Sequence, residues 1–186
     1  MGIVSLQLPG YSANERKRVN RNRNMSKEEL TIYLNDHLAG SVGALELVDH
    51  LIETYKGKPL EQFFKDLQSE IAADQDTLQD LIEKLGKKES VVRKAGAWVA
   101  EKLSRAKIRL SDSKEGQMGL LHALEGLVLG ITGKRGLWIA LAAAADTVPQ
   151  LREVVDYAEL EKRAAEQCAR VEAKRLEVAR EVFSWD

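Results

Sequence analysis

The chain has 186 residues, of which 44% are hydrophobic and 31% charged, enough for one globular domain with a sizeable core and no need of disulfide staples. A formal net charge of −1 excludes a global field that would drive it onto nucleic acid or an anionic membrane, and the single cysteine, Cys168, excludes an internal disulfide, in keeping with a reducing cytoplasm. Three prolines and 5% aromatic residues, set against abundant Ala, Leu, Glu and Lys, predict an all-α chain.

Residues 1–10, MGIVSLQLPG, are apolar but short, and the basic residues follow them instead of preceding them. They do not read as a signal peptide, so the protein is expected in the cytoplasm. The next stretch, ERKRVNRNRN, sets Arg16, Lys17, Arg18, Arg21 and Arg23 against one Glu. Three readings stand: a solvated tail, an arm for nucleic acid or lipid, or a leader upstream of a start at Met25. Ser26-Lys27-Glu28-Glu29 then forms a capping box, in which the Ser hydroxyl accepts from a first-turn amide and Glu29 reaches back to the cap. The expected organisation is a disordered basic tail over 1–25 and a helical bundle domain over 26–186.

Five helices are expected in chain order. The first runs over 26–55 and stops at Lys56-Gly57-Lys58-Pro59, where Gly suits a C-cap and Pro suits the first turn of the next helix. The second extends to Leu85 and is closed by Gly86. The third covers 90–110, long enough to carry the chain back along a bundle at 1.5 Å per residue. The fourth covers 118–145, loosened near Gly133 and Gly136, and the fifth runs from 150 to 183 after the turn at Pro149. Two hairpins separated by a middle helix give the connectivity of an up-down four-helix bundle with one helical crossover.

Spacing at 100° per residue places carboxylates on the faces that should be buried. On the first helix Asp49 lies within the stripe formed by Leu34, Leu38, Val42, Leu45 and Ile52, with Glu46 on its edge. On the second, Asp74 falls near the centre of the stripe of Phe63, Leu67, Ile71 and Leu78, with Glu70 on the flank. On the fourth, Glu125 borders the face of Leu121, Leu124 and Val128 and is the only formal charge within 116–133. On the fifth, Glu161, Glu172 and Arg175 point into a face made by Tyr157, Ala164, Cys168, Ala179 and Val182. Matching heights across the two hairpins sets Glu46 level with Glu70, Val42 with Asp74, and Glu125 with Arg170 and within a turn of Glu172. A buried carboxylate without a partner costs several kcal/mol, so these acids require counter-charges, protons or ions.

Residues 40–52, GSVGALELVDHLI, and 119–131, GLLHALEGLVLGI, align without gaps on a Gly, the Ala-Leu-Glu triplet and an Ile. A repeated hairpin, a long crossover and one inward Glu on each equivalent helix resemble the ferritin-like superfamily over about residues 28–183. The resemblance implies two iron or manganese ions, held by a single Glu from each of two helices and a Glu-x-x-His from each of the other two. Glu46 and Glu125 match the single glutamates, and Glu70 and Glu172 match the first residues of the pairs. The histidines are absent: Ala73, next to Asp74, and Arg175 stand in their places.

Two readings therefore share the same residues. In one, Glu46, Glu70, Asp74, Glu125 and Glu172 hold one or two divalent ions, iron or manganese, since hard oxygen donors favour these, and oxidoreductase-type chemistry follows as an implication of the resemblance. In the other, the bundle is metal-free and non-enzymatic, a structural or stress-associated component in which Arg175 replaces the metal charge. His50, one turn beyond Glu46, and His122, one turn before Glu125, are alternative ligands, while His37 reads as a surface residue.

Segment 87–109 holds eight Lys or Arg against two Glu around Trp98. The reading preferred over a nucleic-acid surface is a helix packed through Val91, Ala95, Trp98 and Leu103. Cys168 reads as a small core residue. The fourth helix is apolar, but its uninterrupted part is shorter than the ~20 residues of a membrane span. Its all-round apolar character implies a second contact, with another subunit, so a homo-oligomer is the expected partner and no membrane is.

Overall fold

The computed structural model describes residues 27–85, 116–152 and 154–184. Among them are four α-helices, α1 (Lys27–Thr54), α2 (Leu60–Lys84), α3 (Gly116–Ala145) and α4 (Tyr157–Val182), one 3₁₀ turn at Pro149–Leu151, and no strand. The expected cap at Ser26, the basic stretch before it, and the helix expected over 90–110 with Trp98 lie outside the described residues.

The breaks between helices have local causes. Gly57 adopts φ 73°, a left-handed conformation that suits glycine, and the Lys58 amide donates to the Tyr55 carbonyl at 2.9 Å. Pro59 then sits at the N-cap of α2 with φ −55°, and the Glu61 carboxylate accepts from the Gly57 amide at 2.7 Å. At the second hairpin, α4 begins at Tyr157 and not near 150 as expected. Asp156 is the cause, because its side chain accepts from the Glu159 amide and starts the helix there. The residues before it close α3: Arg152 donates to the carbonyls of Ala145 and Asp146 at 2.8 and 2.6 Å, while Leu151 is fully buried. The loosening expected at Gly133 and Gly136 is also absent, and α3 is continuous. The buried Leu137, Trp138 and Leu141 anchor that end of the helix, offsetting the roughly 1 kcal/mol each glycine costs relative to alanine.

Packing fixes the direction of each helix. One core cluster joins Leu34 and Leu38 of α1, Leu78 and Leu81 of α2, Leu137 and Trp138 of α3, and Leu160 and Ala164 of α4. The other joins Val48 and Leu51, Phe64 and Leu67, Leu124 and Leu127, and Val171 and Val178. The first cluster thus draws on early residues of α1 and α4 and late residues of α2 and α3, so α1 runs antiparallel to α2 and α3 and parallel to α4. The two Ala-Leu-Glu triplets meet in the second cluster, where Ala44, Leu45, Ala123 and Leu124 all pack. Each fully buried Leu contributes about 1.5–3 kcal/mol to stability.

Helix α3 faces two environments. Leu120, Leu124, Leu127, Ile131, Leu137 and Leu141 are core, whereas Leu129 and Ile139 are 74% and 46% exposed. Contrary to the expectation from its uninterrupted part, it is by length and composition long and apolar enough to cross a membrane, and only 28% of its most apolar window is buried in the bundle.

Candidate functional site

The two apolar clusters leave a polar layer between them, centred on Asp74. Its side chain is 3% exposed, and three groups from two other helices converge on it. Lys134 of α3 donates from Nζ to Oδ2 at 2.5 Å, Arg163 of α4 donates to Oδ1, and Gln167 of α4 donates to Oδ2 at 3.3 Å. Gln167, itself fully buried, accepts from Lys134 through Oε1. Helix geometry places these groups at one height: Arg163 and Gln167 are four residues apart on one face of α4, and Asp74 faces them from α2. Burial lowers the Lys134 pKa, and the neighbouring Asp74 charge opposes that shift. Two cations share one carboxylate here, and the Arg163 Nε is buried without a partner among the described residues.

The other carboxylates singled out in the sequence are also engaged. Glu70 accepts from Arg170, across from α4. Glu172 takes two hydrogen bonds from Arg175, at 2.7 and 2.6 Å, and Arg175 lies 3.7 Å from Glu125. These bonds from Arg175 hold the Glu172 carboxyl below its ordinary pKa, and the same contact raises that of Arg175. Glu46 is half-buried and has no ion-pair partner among the described residues. Four of the five acids are thus distributed over three separate groups of ion pairs, and Glu46 and Glu70 are not joined to a shared network among the described residues.

Other expectations are placed differently. Asp49 is exposed and accepts from Gln68, outside the core stripe. Glu161 pairs with Arg135 at 2.8 Å on the partly exposed side of the hairpin. The buried column of α4 is Leu160, Ala164, Gln167, Val171 and Val178, rotated from the one inferred from spacing, so Cys168 is only half-buried and lies 3.6 Å from the Thr132 hydroxyl. His122 is exposed, and His50 buries an Nε2 that has no partner among the described residues. His37, read as a surface residue, is half-buried edge-on to Tyr33 with ring centroids 4.8 Å apart, and burial lowers its pKa.

Lys134, Arg163 and Gln167 are the site residues that sequence reasoning missed. Lys134 had a signal, since it and Arg135 are the only cations in an otherwise apolar helix. Arg163 and Gln167 had none, because α4 is rich in charges and its inward azimuth is set by tertiary packing.

The donor set has the wrong chemistry for two resident metal ions. Among the described residues no group of three or more His, Cys, Asp or Glu side chains is placed to hold an ion. Fixed guanidinium and ammonium charges adjoin four of the five acids, and a divalent cation would have to displace or repel them. Comparison with family models, with curated proteins and with solved structures finds no match for this chain.

Proposed function

We propose that the protein is a metal-free, non-enzymatic helical bundle, a structural or stress-associated cytoplasmic component that acts by binding. The observation that carries this reading is the pairing of the mid-bundle acids: Asp74 with Lys134 and Arg163, Glu70 with Arg170, and Glu172 and Glu125 with Arg175. Guanidinium and ammonium groups do not change oxidation state, and here they occupy carboxylate oxygens that would otherwise ligate an ion, so these contacts neutralise the inner acids and supply no redox centre.

Elemental analysis of protein purified without chelator tests the reading, on the natural sequence and on Glu125→Ala. Iron and manganese are expected well below one equivalent in both, and dialysis against EDTA should leave the thermal midpoint unchanged. Stoichiometric metal in the natural protein, lost in Glu125→Ala, would overturn it.

A further inference from the structure

A groove of about 440 Å³ lies between α1, α2 and α3, alongside the Asp74 layer. Small-molecule sites typically enclose about 300–1,000 Å³. Its walls are largely aliphatic, from Ala44, Ile71, Leu78, Leu127, Ile131 and Leu137. Gly40 on α1 and Gly130 and Gly133 on α3 also line it, and a β-carbon on any of the three would meet no atom within 4 Å. The space exists because side chains are missing from both walls.

Two polar groups at this groove have unused capacity. Lys134 lines it, and two of the three ammonium hydrogens are accounted for by Asp74 and Gln167. Asp74, Lys134 and Arg163 together carry one positive charge in excess, in a layer where Asp74 and Gln167 are cut off from water. Trp138, also in the wall, is 1% exposed, and its indole Nε1 has no acceptor among the described residues. An occupant that covers aliphatic surface, brings one negative charge and offers acceptor oxygens satisfies all of these features at once. Asp36 at the edge is exposed, so solvent screens its repulsion.

We propose that the groove binds a small apolar monocarboxylate of the medium-chain fatty-acid type, its carboxylate on Lys134 and its hydrocarbon against the Gly40, Gly130 and Gly133 walls. The inference deepens the binding role proposed above and rests on it. Metal content is a separate readout, so failure here leaves the elemental analysis standing.

Calorimetric titration of the full chain with decanoate and with decanol, each below its aggregation concentration, tests the proposal. Decanoate should bind saturably, one per chain, about tenfold more tightly than decanol, as expected for a charge-assisted contact. Shortening to octanoate should weaken binding about fourfold per methylene removed. Lys134→Met leaves Asp74 balanced by Arg163 and should erase the preference for decanoate over decanol. Gly130→Leu with Gly133→Leu fills the groove and should abolish both, while circular dichroism shows the helix retained, since leucine favours helix over glycine. Absence of saturable decanoate binding to folded protein, which is also the result if another part of the chain fills the groove, overturns the proposal. So does equal affinity for acid and alcohol, or binding unchanged by the two leucines.

Discussion

At Arg175 one delocalised charge serves two carboxylates, chelating Glu172 from one turn away and standing 3.7 Å from Glu125 on the neighbouring helix. The hydrogen bonds from Arg175 lower the Glu172 pKa in the folded state. With a folded pKa below the unfolded one, this contact's stabilisation is fully present above the ordinary glutamate value and is lost as pH falls through the depressed value. Arg175→Gln should therefore flatten the fall in thermal midpoint on acidification below the ordinary glutamate range, relative to the natural protein. Superimposable profiles would show that the contact adds nothing in solution. The Glu172–Arg175 contact was legible in the sequence because both residues lie on one helix at a spacing of three, where geometry is nearly independent of tertiary structure. Lys134 and Arg163 were not, since their approach to Asp74 depends on how far α3 and α4 are rotated about their own axes.

Among the elements, α3 and α4 reach helical continuity by different routes. Helix α4 has strong formers along its length and a defined start in Asp156, whose side chain accepts from the Glu159 amide at 3.0 Å. Asp156→Ala should cost about 1 kcal/mol in urea unfolding. Helix α3 instead tolerates exposed glycines through its buried side. A β-carbon on Gly126 or Gly136 would meet no atom within 4 Å, and neither residue lines the groove. Each change to Ala should stabilise by roughly 0.5–1 kcal/mol through helix propensity alone, and destabilisation would show that an unseen contact occupies that face. Helix limits at Thr54 and Ala145 were readable within a residue or two, because Gly57, Pro59 and Pro149 act locally. The start of α4 was misjudged, because the apolar Val154 and Val155 extend the helical pattern while the Asp156 cap overrides it. The uninterrupted course of α3 was hidden for the opposite reason: its glycines signal a break locally, and burial of Trp138 and Leu141 prevents it.

Over the whole molecule, apolar burial at both ends of the bundle brackets a charged layer, in which Lys134 and Arg163 balance Asp74. The all-α class and the two hairpins followed from periodicity. So did the level of Asp74 near Val42, since Gln75 reaches Ser41 at 2.8 Å in the same turn. The identity of the balancing charge did not follow, because an acid on an inner face is equally compatible with an ion, a proton or an arginine until three helices are placed together. The two balances predict opposite signs for one substitution. If the acids are a metal site or repel one another, replacing one relieves repulsion and the metal-free protein becomes more stable. If Lys134 and Arg163 neutralise Asp74, removing its charge strands two cations beside a buried amide. The most direct measurement is urea unfolding of Asp74→Asn against the natural protein, both with EDTA present. A loss of about 2–3 kcal/mol is expected, at or below the low end of buried-pair losses because Arg163 retains some solvent contact. Equal or greater stability of Asp74→Asn would contradict the account.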